Sequence, residues 1–344
     1  MSRRIHKAFK VAIYASVFLI LLGCTYNSQS AGNTGAKEPT KRAGWLVYWD
    51  IGAGEKDLKK IGEQLDKLSY FGAYFDENDK VFIPQDLSEK RNELKKKKAK
   101  YETYLTIVND KQNNDGSSTI KDIEVLRRLF SDDVSMEKHV DEIIALTLQG
   151  GYDGIEIDYE KIWKDESIGQ SFLKFANKLY VKALDNDLKL RIVLEPSTPF
   201  SSAQFFEGPE YVVMLYNLYG LHSDPGPKAN KAFIEKTITR MAGLPGEKSV
   251  AFSTGGCVWG DNGEKRLVTE VEARNLAVKY HADTQRDEES QCVIFDYKEN
   301  GVAYQVWYAD IKTLNDWIKI AKEQGVNHIS LWRFGGNMNL NKII

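Results

Sequence analysis

Residues 150–163 read GGYDGIEIDYEKIW, a short β-branched run in which acids recur at every second position. Alternate side chains of a strand lie on the same face, so Glu156, Asp158 and Glu160 point one way and the apolar residues between them point the other way. Three carboxylates on one enclosed face cannot all ionise cheaply, because each desolvated charge raises the pKa of its neighbours. We expect shared protons and at least one neutral carboxyl, which is the state that a general acid requires.

Two other interpretations fit an acidic strand: a buried acid network that only fixes the fold, and a metal site. A metal site would need oxygen or nitrogen ligands from several elements, and this stretch contains no histidine. We therefore expect no metal at these carboxylates.

Eight runs of β-branched and aromatic residues recur along the chain, and amphipathic helical stretches separate most of them. The runs are GWLVYWD, LSYFGAYFD, YLTIVND, GIEIDYE, LRIVLEPS, YVVMLYN, SVAFSTGG and HISLWRFGG. Strands that alternate with helices favour a parallel sheet, and a count of eight favours a closed (β/α)8 TIM barrel. The alternative is a doubly wound open sheet, but no Gly-rich phosphate loop follows the first run.

The interval between the seventh and eighth runs breaks the alternation. Residues 291–310, QCVIFDYKENGVAYQVWYAD, contain two β runs around Asn300 and Gly301. Asn-Gly is a strong signal for a tight β-hairpin turn. We expect a small β-hairpin-containing insertion between strands 7 and 8, on top of the barrel where loops build the site.

The first 43 residues differ in composition from the rest of the chain. Residues 1–24 combine basic residues, a short apolar run and a final Leu-Leu-Gly-Cys that resembles a bacterial lipobox, in which Cys24 is lipidated. Residues 25–43 carry little to bury and predict a flexible tether to a barrel formed by residues 44–344. We expect an exported protein held at the bacterial cell envelope by lipid on Cys24. The alternatives are a plain secretory signal and a short membrane anchor.

The charge and cysteine content limit which binding partners and disulfides the sequence predicts. The 47 basic and 49 acidic residues nearly balance, so nothing predicts a polyanion partner and we expect no nucleic acid binding. With Cys24 lipidated, Cys257 and Cys292 remain. An exported compartment permits a disulfide between them, and the sequence leaves open whether they meet.

Several runs end in polar or aromatic residues, and the carboxyl ends of barrel strands open onto one mouth. These terminal residues are Asp50, Asp76, Asn109, Glu160, Glu195, Asn217 and Trp332. The aromatic residues in or just after the strands are Tyr48, Trp49, Phe75, Trp259 and Trp307. Each aromatic taken alone is more often part of a core, but as a set at the mouth they are candidate platforms for stacking sugars.

Several of these motifs resemble those of a known family. Residues 153–160, DGIEIDYE, resemble the DGxDxDxE signature of glycoside hydrolase family 18, the chitinase-like enzymes. Residues 213–217, VMLYN, resemble that family's Met-x-Tyr-Asp motif on the sixth strand, and Trp332 resembles its tryptophan under the substrate sugar. Residues 226–230, GPKAN, and 305–310, QVWYAD, resemble the branch that acts on bacterial cell walls and spore cortex. The resemblance implies a TIM barrel with neither a metal nor an organic cofactor.

The resemblance also implies roles for individual residues. The family retains the anomeric configuration by using the N-acetyl oxygen of the sugar as nucleophile. Glu160 would protonate the leaving glycosidic oxygen, and Asp158 would hold the acetamide N–H and stabilise the developing oxazolinium charge. Tyr216 would donate its hydroxyl to the acetamide oxygen, and Trp332 would support the sugar ring. Further substrate-binding candidates at the mouth are Glu156, Asn217, Met214, Tyr48, Phe75, Asn109 and Trp259.

Two positions depart from the family pattern. Glu156 stands where the signature has Asp, and its longer side chain could still share a proton with Asp158. Asn217 stands where the sixth-strand motif has Asp, so it offers hydrogen bonds without negative charge.

The function implied by the resemblance is hydrolysis of β-1,4 bonds next to N-acetylglucosamine. Peptidoglycan is the first substrate, chitin-type oligosaccharide the second and N-glycan the third. The rival interpretation is a carbohydrate-binding lectin on the same scaffold, which Glu160 argues against and Asn217 weakly favours.

Overall fold

The structure, a computed structural model, describes residues 39–97 and 100–344. The predicted signal peptide, the lipidation site at Cys24 and most of the predicted tether lie outside these residues. The first strand begins at Lys41, three residues before the barrel boundary predicted at position 44, because its first residues already pair with the last strand of the barrel.

The described residues form fifteen strands and eight α-helices. The strands are β1 (Lys41–Val47), β2 (Lys67–Phe75), β3 (Val81–Phe82), β4 (Glu102–Gln112), β5 (Ser118–Thr119), β6 (Gly154–Asp158), β7 (Lys189–Leu194), β8 (Glu210–Met214), β9 (Glu247–Ser253), β10 (Gly255–Gly260), β11 (Lys265–Val268), β12 (Gln285–Arg286), β13 (Val293–Glu299), β14 (Val302–Ala309) and β15 (His328–Trp332). The helices are α1 (Ile51–Ile61), α2 (Gln85–Lys95), α3 (Ile123–Leu129), α4 (Asp133–Gly150), α5 (Glu166–Leu184), α6 (Lys231–Met241), α7 (Glu270–Lys279) and α8 (Ile311–Glu323). None of these helices has the length and apolar character needed to cross a membrane.

Eight parallel strands close into a barrel in the order β1, β2, β4, β6, β7, β8, β9 and β15. Closure is direct, because β1 pairs in parallel with β2 on one side and with β15 on the other. The predicted (β/α)8 TIM barrel is therefore confirmed, and each of the eight predicted runs overlaps one of its strands. The open-sheet alternative is wrong.

Helices α4 and α5 flank the acidic strand β6 in the chain. Asp132 and Asp165 cap the two helices by accepting hydrogen bonds from backbone N–H groups of the first turn. Helix α4 ends at Gly150, and the left-handed backbone of the capping residue Gly151 (φ 62°) turns the chain toward β6. The apolar residues of β6, Ile155 and Ile157, pack with these helices in the region outside the barrel.

The insertion is larger than the sequence predicted. The hairpin expected over residues 291–310 is confirmed as β13 and β14, with Asn300 and Gly301 at positive φ in the turn. These strands belong to a five-stranded antiparallel sheet in the order β11, β10, β14, β13, β12, which also includes residues directly after β9. The lobe therefore begins near Gly255, because the chain leaves the barrel immediately after the seventh strand.

Cys257 and Cys292 are buried and free, so the disulfide left open by the sequence is not formed. Cys257 lies on β10 opposite Trp307 of β14, and Trp307 lies opposite Ile294 of β13. Two strand spacings of about 4.8 Å separate β10 from β13, which exceeds the reach of about 7 Å between the Cα atoms of a disulfide.

Candidate active site

Strand β6 separates its acids from its apolar residues as the alternation predicted. Ile155, Ile157 and Tyr159 pack in the apolar region outside the barrel. The Tyr159 hydroxyl lies 2.8 Å from Nε2 of His139 on α4, which fixes the outer side of the strand. The acids on the opposite face therefore point into the barrel and toward its mouth.

Glu156 does not contact the mouth, which corrects its prediction as a substrate-binding residue. Its fully buried carboxylate accepts hydrogen bonds from Trp45 Nε1 (2.5 Å), Thr106 Oγ1 (2.7 Å) and Ser69 Oγ (3.1 Å). The guanidinium of Arg191 on β7 lies 2.6 Å away and neutralises it. Both oxygens of Glu156 are occupied by donors from other elements, so the expected shared proton between Glu156 and Asp158 is not supported.

Arg191 joins this carboxylate to a second buried acid. The same guanidinium lies 3.1 Å from Glu210 at the start of β8, and Lys67 at the start of β2 also contacts Glu210. We call Lys67, Glu156, Arg191 and Glu210 the floor cluster. Three of these residues, Lys67, Arg191 and Glu210, lie near the amino ends of β2, β7 and β8. Burial raises the pKa of Glu210, but Arg191 and Lys67 outweigh burial and hold that pKa below its usual range.

Asp158 lies in a different environment, two residues beyond Glu156. Its side chain is almost fully buried, and its Oδ1 has no hydrogen-bond partner among the described residues. Burial raises the pKa of Asp158 well above its usual range, and the nearby charges of Glu160 and Glu156 raise it further. Burial and the neighbouring acids thus disfavour a charge on Asp158, which is also the carboxyl of this strand that presents an unused polar atom.

Glu160 is positioned through its backbone by Asn109. Asn109 Oδ1 accepts the Glu160 N–H at 2.9 Å, and Asn109 Nδ2 donates to the Glu160 carbonyl at 3.1 Å. Because the buried Asn109 amide is engaged at both ends, it holds the loop rather than a ligand, which corrects its prediction as a substrate-binding residue. Burial raises the pKa of Glu160, although Lys121 opposes that rise.

Lys121 is the residue at this site that sequence reasoning missed. Its ammonium forms an ion pair with Glu160 Oε2, and its backbone N–H donates to Asp110 Oδ1 at 2.7 Å. It lies in the loop after the third barrel strand, where neither strand nor helix periodicity applies. A lysine in a polar loop carries no sequence signal that could have identified it.

Tyr216 follows β8 and faces the acids of β6. Burial raises its pKa well above the usual value, and the charges of Asp158, Glu160 and Glu156 raise it further. The phenol therefore stays protonated and can donate a hydrogen bond. We call Asp158, Glu160 and Tyr216 the mouth cluster.

The apolar wall beside this cluster comes from the first, second and eighth barrel strands. Trp332 packs edge-on against Trp45 and Phe71, with ring centroids 5.7 and 4.6 Å apart. Its ring is only partly buried, in keeping with its predicted place under a sugar. Met214 is buried within the same apolar cluster and supports it from inside the barrel.

Two further aromatic residues lie at the end of β1. Tyr48 is partly buried and packs edge-on against Trp49 and Tyr74, at 5.2 and 5.7 Å. Trp49 is 48% exposed, and the Arg333 guanidinium lies 5.9 Å from its ring. These residues give the mouth an exposed aromatic surface, while Asn217 lies exposed beyond the end of β8.

Phe75 is wrongly predicted as a substrate-binding residue. It is fully buried outside the barrel, against His139 and Tyr159. The cause is an irregularity in β2 at Gly72, where the register with β4 shifts and the backbone has φ 117°. The shift inverts the alternation, so Tyr74 faces the barrel interior in place of Phe75.

The prediction of Trp259 as a substrate-binding residue is also wrong, because almost none of its surface is available to a ligand. Its indole N–H donates to the carbonyl groups of Gly220 and Ser223, at 3.2 and 3.1 Å. The ring therefore supports the loop after the sixth barrel strand from the insertion.

One group of potential metal ligands comes together within the described residues: Glu210, Glu247 and His328. It lies at the amino ends of the strands, away from the mouth cluster. Lys67 contacts both carboxylates, so a cation already balances them.

We compared the chain with known protein families, curated proteins and solved structures. No protein-family model matches the chain. A cortical fragment-lytic enzyme of Bacillus anthracis is 24% identical over 227 residues, which are 60% of this chain and 52% of that protein. The chain thus spans about half the length of this relative.

Solved structures share the fold. The spore cortex-lytic enzyme SleL of Bacillus cereus superposes with a TM-score of 0.74 at 20% identity, covering 89% of this chain and 74% of that one. A mutant class V chitinase of Nicotiana tobaccum in complex with NAG4 superposes with a TM-score of 0.69 at 14% identity, covering 88% and 97%. The predicted resemblance to the chitinase-like enzymes and their cortex-lytic branch is confirmed.

Proposed function

We propose that this protein is a retaining glycosidase that hydrolyses β-1,4 bonds next to N-acetylglucosamine by substrate-assisted catalysis. The observation that carries the proposal is the mouth cluster. A buried carboxyl with an unused oxygen, Asp158, lies two residues before the acid Glu160 and faces a phenol that stays protonated, Tyr216. This set matches the needs of an acetamide nucleophile, which requires an N–H acceptor, an oxygen donor and a proton for the leaving group.

In the first step, Glu160 gives its proton to the glycosidic oxygen as the C1–O bond breaks. The acetamide oxygen of the same sugar attacks C1 and forms an oxazolinium ion. Asp158 accepts the acetamide N–H through its free oxygen, and Tyr216 orients the acetamide oxygen. The hydrogen bond from the acetamide N–H to this Asp158 oxygen disperses part of the positive charge of the ring.

In the second step, water attacks C1 from the side that the leaving group vacated. Glu160, now ionised, takes a proton from this water, and the acetamide is released with the anomeric configuration retained. Trp332 supports the ring during both steps, and Trp49 extends the aromatic surface toward the neighbouring sugar.

Peptidoglycan is the first proposed substrate and chitin-type oligosaccharide the second. Support comes from the relatives, one named for cortical fragment lysis and another solved with NAG4. The test is turnover of a soluble glycan strand and of a chitin oligomer, with the anomer of the first product read by proton NMR. A β product is expected, and an α product would reject the retaining mechanism.

A lectin on the same scaffold is the competing function, favoured by one observation. Lys121 pairs with Glu160 and stabilises its ionised form, which is the wrong form for a general acid. Sugar binding without turnover of any of these glycans would establish the lectin.

We further propose that the chain is exported and held at the cell envelope by lipid on Cys24. The support is the resemblance of residues 1–24 to a lipoprotein signal. Cys24→Ala should release the protein from the membrane fraction or leave the signal uncleaved. A mature amino terminus at any other residue would reject this proposal.

A further inference from the structure

Lys121 is the one described residue whose side chain forms a hydrogen bond or ion pair with the Glu160 carboxyl. An ammonium at this distance favours the ionised carboxylate, whereas a general acid has to start protonated. In the proposed reaction the pair therefore has to open before the proton is transferred. Opening the pair requires a group that competes with Glu160 for the Lys121 ammonium.

The loop that carries Lys121 is held without this ion pair. The Lys121 N–H bonds to Asp110, and the next N–H, of Asp122, donates to the Asn109 carbonyl at 2.7 Å. The Lys121 side chain is 33% exposed. The ammonium can thus leave Glu160 by side-chain rotation while the backbone stays in place.

The charges around Glu160 show why an anionic substrate needs this cation. Asp110 and Glu195 raise the pKa of Glu160, and Asp110 also raises the pKa of Asp158. Asp158 and Glu195 raise the pKa of Lys121. Lys111, a second cation on the third barrel strand, is already engaged 3.0 Å from Asp79. Without a free ammonium, this ring of acids would repel any carboxylate on the incoming glycan.

We infer that Lys121 is a specificity-determining residue: a carboxylate on the sugar of the leaving-group side draws Lys121 from Glu160, and Glu160 then takes up a proton from solvent and can act as the acid. The inference rests on the proposed function and deepens it. The oxygen that Glu160 protonates belongs to the leaving sugar, so Lys121 lies within reach of that sugar's substituents. N-acetylmuramic acid bears a lactyl ether with a carboxyl group, and the sugars of chitin bear none.

The test compares two tetrasaccharides of equal length, one of alternating N-acetylglucosamine and peptide-free N-acetylmuramic acid and one of N-acetylglucosamine alone. The variants are Lys121→Met, which removes the charge, and Lys121→Arg, which keeps it. Lys164→Met is the matched control, because Lys164 is exposed just beyond Glu160 and its side chain forms neither a hydrogen bond nor an ion pair among the described residues.

Lys121→Met should lower kcat/KM on the anionic tetrasaccharide by about 10-fold or more, the worth of one charge-assisted hydrogen bond. On the neutral tetrasaccharide kcat/KM should rise, because no ammonium then holds Glu160 in its ionised form. The alkaline limb of its pH profile should move to higher pH, because Glu160 loses its paired cation while Asp110, Asp158, Glu195, Lys161 and Tyr216 stay in the site. Lys121→Arg should retain the preference for the anionic substrate.

An equal change on both substrates in Lys121→Met, or a preference for the carboxylate that survives it, would overturn the inference while leaving the hydrolase intact. If the unmutated protein cleaves neither tetrasaccharide, the hydrolase proposal fails, and calorimetric Kd values for the same two ligands decide on Lys121. A Kd ratio that is the same in Lys121→Met and the unmutated protein would then reject it.

Discussion

Glu210 in the floor cluster and Asp158 in the mouth cluster are buried to the same extent, 6% and 8% exposed, yet their pKa values shift in opposite directions. Burial raises both. At the floor, Arg191 and Lys67 outweigh burial, whereas at the mouth the neighbouring charges of Glu160 and Glu156 add to it. Burial alone therefore does not distinguish a structural acid from a reactive one. The presence or absence of a buried counter-cation does.

The same contrast appears in hydrogen bonding. Every oxygen of the Glu156 carboxylate has a donor, and Arg191 is satisfied by Glu156, Glu210, Ser69 and Ser330. Asp158 has a buried oxygen without any partner in the described part of the chain. A closed network stabilises the barrel, and an open one can bind a ligand.

A substitution in the floor cluster should lower the free energy of unfolding. Arg191→Met leaves Glu156 and Glu210 buried with one cation fewer, so the free energy of unfolding should fall by about 3–5 kcal/mol. Urea unfolding followed by circular dichroism measures this loss. The double variant Arg191→Met/Glu156→Gln should recover part of it, because the uncompensated charge is removed. A loss below about 1 kcal/mol in the single variant would show that the floor cluster is not the stabilising network described here.

The outer side of β6 carries a third kind of buried group, a base without a full counter-charge. Burial lowers the pKa of His139, and Glu142, 3.7 Å from its Nδ1, opposes this only in part. The unfolded chain binds a proton at about pH 6.5 that the folded protein refuses. The free energy of unfolding should therefore fall as pH drops below about 6.5, by at most about 1.4 kcal/mol per pH unit.

His139→Gln should flatten this acid dependence, measured by urea unfolding between pH 7 and 5. His222→Gln is the control, because His222 is exposed and should leave the slope unchanged. An unchanged slope in His139→Gln would assign the acid sensitivity to other groups.

The smallest expected effect is on KM, and it distinguishes Trp49 from Phe75, two aromatic residues that the sequence placed together at the mouth. Trp49→Ala removes an exposed ring at the mouth, so KM for a glycan oligomer should rise about 2- to 10-fold with kcat nearly unchanged. Phe75→Leu changes a ring buried outside the barrel and should leave KM unaltered. A KM effect in Phe75→Leu but not in Trp49→Ala would reverse the placement of the two.

The sequence predicted what depends on local periodicity. The alternation in β6 fixed which residues face the barrel, and the Asn300-Gly301 pair fixed the hairpin turn. Prediction failed wherever a distant or irregular contact decides. Phe75 was misplaced by the register shift at Gly72, and the partner of Glu156 lies 35 residues away on β7.

Two further residues were not predicted at all, for different reasons. Arg191 left a weak signal that was overlooked, a charge at an inward-facing position of an otherwise apolar strand. Lys121 left none, because a loop residue reaches Glu160 only through the folded geometry.

In the proposed reaction the two mouth carboxyls act on different atoms, Glu160 on the leaving oxygen and Asp158 on the acetamide. The most direct test measures kcat/KM of Glu160→Gln and Asp158→Asn with a natural-type oligomer and with an activated aryl glycoside of the same sugar. On the oligomer, Glu160→Gln should lose at least about 10²-fold. The aryl glycoside needs little protonation, so it should restore much of the rate of Glu160→Gln in the first step and little of that of Asp158→Asn. Equal rescue of both variants, or full activity of Glu160→Gln on the oligomer, would contradict the assignment.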